Sequence, residues 1–191
     1  MKKKDIISTI SISILASILV FFVYNFYYGN FPSYSPPTYH PAIENIKNAW
    51  TQNAQFTNLQ SSQQFAISDF QNQIILLNSF DPSYPFSLKQ HMQIKSLREE
   101  LGDSVIIISF DMSQNPESHK TLSYLENKGF NWYFAVPSEQ NKQLLINDFG
   151  ISFSSFSSNP IVLICPGGKI VNDFGPNIKT ADQIKEKINE C

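Results

Sequence analysis

Residues 73–110 read QIILLNSFDPSYPFSLKQHMQIKSLREELGDSVIIISF. Two compact apolar runs bracket this stretch, Gln73–Asn78 and Val105–Phe110. Each has the length of a buried strand. Between them, Phe80–Ser87 is a proline-bearing loop, and a helix is expected to start near Pro85 and run to Leu101. Ile94, Leu97 and Leu101 share one helical face with His91 on its edge, and Gly102 is the stop signal. Strand, helix and strand in this order imply a parallel pair joined by a right-handed crossover.

Downstream the punctuation stays regular. Asn115-Pro116 is a cap and first-turn pair for a helix that runs to Lys128 and stops at Gly129. Trp132–Ala135 reads as a third strand, and Ser138–Phe149 as a helix closed by Gly150. Pro160–Ile164, the turn Cys165–Gly168 and Lys169–Val171 form a β-hairpin. Thr180-Ala-Asp-Gln183 is a capping box that opens a final helix with Ala181, Ile184 and Ile188 on one stripe. Upstream, Phe56–Leu59 and Gln64–Ile67 read as short strands around a polar turn. The expectation is an α/β domain over residues 56–191, a central mixed sheet flanked by helices.

Ahead of the domain, Ile6–Tyr24 is an uncharged apolar run, long enough as a helix for a bilayer core of about 20 residues. Lys2, Lys3 and Lys4 precede it, and positive charge stays on the cytoplasmic side. Residues 1–5 are therefore read as a cytoplasmic tip and 6–24 as a single transmembrane anchor of the cytoplasmic membrane. Residues 25–55 form a linker and 56–191 the domain on the outer side. The run ends in bulky aromatics rather than a small-x-small site, which favours an uncleaved anchor over a cleaved signal peptide. The linker segment GNFPSYSPPTYHP, 29–41, carries four prolines and suits an extended spacer.

Composition narrows the function. The 191 residues are 42% hydrophobic and 16% charged, with a net charge of −2 and a single arginine, Arg98. No basic patch of the kind that holds nucleic acid follows from such numbers. The only cysteines are Cys165 and Cys191, with no CxxC and no Cys/His cluster, which argues against structural zinc. Cys165 ends an apolar run and reads as a buried free thiol, a small hydrophobe. Cys191 reads as exposed, and a disulfide-linked dimer through it is the sharper alternative. Pairing of the two is left open.

Local motifs over about Phe56–Ile188 resemble the thioredoxin-like superfamily, and within it the Sco/SenC family most. Phe80-Asp-Pro-Ser-Tyr-Pro-Phe-Ser-Leu88 stands where that family has Phe-Thr-His-Cys-Pro-x-x-Cys-Pro. Ser109-Phe-Asp-Met112, Asn115-Pro-Glu117, Gly129–Phe134, Leu163–Gly168 and Phe174-Gly-Pro-Asn177 resemble further family segments in order. The resemblance implies a copper-binding or thiol-redox domain of oxidase assembly, but both cysteine positions hold serine, Ser83 and Ser87, and the histidine position falls nearest Ser157. It also implies a cis-proline at Pro160.

Soft thiolates select copper(I), and disulfide exchange needs a thiolate, so serines at these positions remove both chemistries. The resulting expectation is a non-catalytic accessory domain without cofactor. It would bind an unidentified protein partner of envelope redox or respiratory-oxidase assembly, through Tyr84 and Phe86 on the loop. The alternative is a copper carrier using His91 and Met112, or a thiol-redox protein using Cys165. Met92 and His119 are further ligand types, although Met92 points about 100° away from His91 on a helix. Asp81 and Asp111, at the ends of the two central strands, are read as turn and helix caps, or as a carboxylate pair for acid–base or hard-cation work.

Overall fold

The computed structural model describes residues 46, 49–155, 159–171, 174 and 177–191. The expected anchor 6–24, the proline-rich segment and Ser157 lie outside the described residues. Among the described residues no helix is long and apolar enough to cross a membrane.

Among the described residues, seven strands and four α-helices occur: β1 (Phe56–Thr57), β2 (Gln64–Phe65), β3 (Ile74–Phe80), α1 (Pro85–Leu101), β4 (Val105–Asp111), α2 (Ser118–Lys128), β5 (Tyr133–Ala135), α3 (Glu139–Phe149), β6 (Ile161–Ile164), β7 (Ile170–Val171) and α4 (Ala181–Ile188). The main sheet has the order β5-β4-β3-β6-β7, and β1 pairs with β2 as a separate hairpin. β3 and β4 are parallel, with Ile74 opposite Val105 and Phe80 opposite Asp111. β6 runs antiparallel to β3, with Asn78 opposite Ile161. The expected parallel pair is present, the expected third strand joins it in parallel as β5, and the first strand of the expected hairpin, β6, runs antiparallel beside β3.

Strand alternation divides the core. Ile75, Leu77, Ile108, Phe110 and Met112 face Leu145, Phe149 and Phe153. Leu76, Phe80 and Ile107 face Ile94, Leu97, Leu125, Phe130 and Ile184 on the other side. β3 runs two residues further than the apolar reading, because Ser79 and Phe80 continue the parallel register against Phe110 and Asp111. α2 begins at Ser118, capped by the extended backbone of Glu117 rather than at Asn115-Pro116. Its end follows the expectation: Gly129 is left-handed, with φ 63°, a conformation most side chains resist. Ser138 caps α3 by accepting the Asn141 N–H, and the Thr180–Gln183 box opens α4 as read.

Packing starts ahead of Phe56. Ile46, Ala49 and Thr51 are buried. The Ile46 N–H donates to the Gly168 carbonyl at 2.8 Å, and the Thr51 N–H to Asp148 Oδ2 at 2.8 Å. The chain thus enters the fold beside the β6–β7 turn. That is the end of the sheet where β3 begins, opposite the loop that follows β3.

Candidate functional site

β3 and β4 each end in an Asp-x-Ser turn, and the two turns lie side by side. Asp81 Oδ1 accepts the Ser83 N–H at 2.8 Å and the Ser83 hydroxyl at 2.6 Å. On the neighbouring strand, Asp111 Oδ1 accepts the Ser113 N–H at 3.0 Å and its hydroxyl at 2.6 Å. Asp111 is buried, and its Oδ2 takes the Thr121 hydroxyl at 2.6 Å, so this carboxylate ties β4 to α2. Asp81 and Asp111 therefore do lie at adjacent strand ends, each turned toward its own serine. A cleft of about 330 Å³ opens beside them, lined by Asp81, Pro82, Ser83, Ser113, Asn115 and Glu117, among others.

Ser87 is buried in the first turn of α1, where its hydroxyl oxygen accepts the Asp81 N–H at 3.1 Å. Ser83 and Ser87 thus both brace the loop. Tyr84 caps α1 through its extended backbone, with Pro85 as the first helical residue. Its ring packs against Phe86 at 5.4 Å, and the Lys89 ammonium sits 5.3 Å from the Phe86 ring centre. Phe86 and Met92 are 44% and 48% exposed; with Ile151 they are the exposed large hydrophobics among the described residues.

His91 and Met112 do not converge. Met112 belongs to the core on the α3 side of the sheet. His91 lies on the α1 side, fully buried among the rings of Phe80, Tyr124, Phe130, Trp132 and Phe134, with centroids 4.7 to 5.8 Å away. Both of its ring nitrogens are engaged. Trp132 Nε1 donates to Ser109 Oγ at 2.8 Å, and that hydroxyl donates to Asn78 Oδ1 at 2.6 Å. Asn78 Oδ1 is thereby turned to Ser109 and its amide Nδ2 to His91 Nε2, at 3.2 Å. Nε2 accepts, so the neutral ring carries its proton on Nδ1 and donates to the Tyr124 oxygen at 2.9 Å. Burial lowers the His91 pKa to about 3 and raises that of the Tyr124 phenol. The joint His/Met copper site is thus corrected by the sheet that separates its two members.

The Asn159–Pro160 bond is trans, and no cis peptide occurs among the described residues, which corrects the expected cis-proline. The turn into β6 is made instead by Asn159, whose φ of 44° is one that asparagine tolerates. The Asn159 carbonyl accepts the Lys179 ammonium at 3.0 Å. Lys179 is buried, which lowers its pKa to about 8. Its backbone is clamped by Gln90 of α1, whose Oε1 takes the Lys179 N–H at 2.8 Å and whose Nε2 donates to the Lys179 carbonyl at 3.0 Å.

The cysteines pair with each other, Sγ to Sγ at 2.01 Å with the Cα atoms 5.0 Å apart. The reading of Cys165 as a free thiol is corrected, and Cys191 is taken up inside the chain rather than between chains. Twenty-six residues of separation say nothing about proximity; the antiparallel hairpin and the return of α4 across α1 bring the two together. The polar contacts of Asn78, Ser109, Trp132, Tyr124, Gln90 and Lys179 also escaped the sequence reading. Their partners lie 13 to 89 residues apart, and no local motif marks those contacts.

No protein-family description matches this chain, and no curated protein matches it in sequence. Solved structures do match it. A secreted Mycobacterium tuberculosis disulfide oxidoreductase homologous to E. coli DsbE superposes with a TM-score of 0.57 at 12% identity, covering 72% of this chain and 95% of its own. The thioredoxin domain of a thiol-disulfide oxidoreductase from Bacteroides vulgatus gives 0.54 at 14% identity, over 71% and 90%. BsSco, a member of the Sco family of cytochrome c oxidase assembly proteins, gives 0.57 at 16% identity, over 78% and 96%. The fold is thioredoxin-like. At these identities the likeness extends to the fold alone.

Proposed function

We propose that this chain is a membrane-anchored, extracytoplasmic thioredoxin-fold protein that works by holding a protein partner rather than by thiol or copper chemistry at its loop. The observation that carries this reading is the state of the two serines. At the start of the helix after the first central strand, where a helix N-terminus would favour a thiolate, Ser83 and Ser87 are spent on bracing Asp81. The same loop presents Phe86 to solvent, backed by Tyr84 and Lys89. Aromatic side chains on a rigid platform are common anchors at protein interfaces.

The setting is proposed by resemblance to the Sco/SenC family: envelope redox or respiratory-oxidase assembly. A disulfide in the fold supports a compartment outside the cytoplasm, where such bonds persist.

A second reading has one observation in its favour, the Cys165–Cys191 disulfide itself. In this reading the chain exchanges electrons through that pair. Its environment weighs the other way, since Cys165 is buried among apolar side chains, where a departing thiolate is poorly solvated and leaves slowly. The full-length protein in detergent, assayed against a model disulfide protein and against a moderate copper(I) chelator, separates the readings. We expect no reductase activity and no retained copper, with Phe86→Ala leaving the melting temperature unchanged. Reductase activity that disappears in Cys165→Ala, or copper retention that disappears on changing Met112, would overturn the partner-holding reading.

A further inference from the structure

The Cys165–Cys191 bond is chemically lopsided. Cys165 closes β6 and is 2% exposed, in the cluster that holds Leu163, Val171, Ile184 and Ile188. Cys191 lies just beyond α4, is exposed, and has its N–H on the Ile188 carbonyl at 3.0 Å. The bond also lies far from the Ser83–Ser87 loop, because β6 runs antiparallel to β3 and ends where Ile164 meets Ile75.

We propose that Cys191 is a thiol-capture site: the sulfur at which an external thiol, a small molecule or a protein cysteine, opens this bond and becomes covalently attached. The attacking thiolate bonds to Cys191 Sγ, the Cys165–Cys191 bond breaks, and its electron pair leaves on Cys165 Sγ. Cys165 then takes up the proton that the attacking thiol had lost. One disulfide is consumed and one is formed, so no further oxidant or reductant enters. Access sets the direction, since thiol–disulfide exchange needs open approach to the sulfur attacked, and burial closes that approach at Cys165.

The surroundings also set the rate. A thiolate released among apolar side chains is a poor leaving group. The C-terminal end of α4 disfavours negative charge at Cys191, which would be the leaving thiolate if Cys165 were attacked, and so adds to the preference for attack at Cys191. Cys165 stays in place after release, with its Cα 5.0 Å from that of Cys191 in the closed form, and recloses the bond when the thiol departs. Capture is therefore slow and reversible. It persists with excess thiol, or with a partner that is also held elsewhere. A partner attached here leaves the aromatic loop at the opposite end of the sheet free.

The test uses the oxidised full-length protein and reduced glutathione, with acid quenching at early times, alkylation of free thiols, and mass mapping of the two cysteine peptides. Glutathione is expected on Cys191 with alkylated Cys165, in at least ~10-fold excess over the reverse pattern. The same reaction in denaturing urea should lose the preference, because the fold creates it. Adduct mainly on Cys165, an equal split in the folded protein, or no adduct at either position over the whole glutathione range would overturn the proposal. The outcome is independent of the loop-based reading, which stands or falls on the reductase and copper assays.

Discussion

His91 is held neutral by five aromatic rings and two hydrogen bonds, and this ties the stability of the domain to pH. Its pKa falls from an ordinary 6.5 to about 3 on folding. Above pH 6.5 both folded and unfolded chains carry the neutral ring, and the full stability is present. Below it the unfolded chain binds a proton that the fold excludes, so stability declines as pH drops toward 3, by up to ~1.4 kcal/mol per pH unit. Urea midpoints measured between pH 7 and 3.5 should fall accordingly. In His91→Phe that part of the slope should vanish, although the variant starts about 1–3 kcal/mol lower because the Asn78 amide loses its partner. An unchanged slope in the variant would mean that other groups set the acid response. In the sequence His91 was legible as the edge of a helical stripe and as a candidate copper ligand, but not as a buried neutral ring. Its role depends on Asn78, Ser109, Trp132 and Tyr124, which the sheet and α2 bring together from distant positions.

At the scale of elements, α1 was legible from end to end because Pro85 and Gly102 mark its limits, and buried Ile94 and Leu97 with half-buried Leu101 its inner face. What α1 does with its polar buried positions was not legible. Nothing in the sequence singles out Gln90, yet it is 1% exposed and acts as an extra pair of backbone partners for Lys179, ahead of α4. Gln90→Ala removes both hydrogen bonds to the Lys179 backbone, and should cost about 1–3 kcal/mol in a urea titration. A loss below 0.5 kcal/mol would show that the strap before α4 is held by other contacts, since that is the range of a surface substitution. The Asp-x-Ser turns after β3 and β4 were half legible: both aspartates read as turn or helix caps, and the contacts they make are local, while the placement of the two turns side by side emerges only once the two strands lie in register.

At the scale of the whole molecule, the fold class followed from the order of elements, whereas its covalent closure did not. Linking Cys165 to Cys191 closes a loop that contains β7, the strap at Lys179 and α4. Removing the link by Cys165→Ala with Cys191→Ala should lower stability by about 3 kcal/mol, the order expected for a loop of this size. A loss within 0.5 kcal/mol would show that packing of Ile184 and Ile188 alone secures α4, as for a surface change. Placement of the molecule is open to a direct test as well. If the lysines ahead of the apolar run orient it as read, a protease added outside intact cells should cleave beyond Gly29, and protection until the inner membrane is breached would reverse the orientation.

The position of β6 in the sheet has a consequence for how the chain is made. β3 pairs with β4 on one side, a partner 31 residues away, but its other side waits for β6, whose Ile161 lies opposite Asn78. While the chain emerges in order, IILLNSF can join β4 early, yet its second edge stays bare until residues 161–164 appear. A bare apolar strand edge is a template for pairing with other chains. Until β6 is made, nascent copies therefore keep one edge of β3 open to aggregation even after β4 has paired. A holdase that covers Ile74–Phe80 during that interval should raise the yield of folded protein.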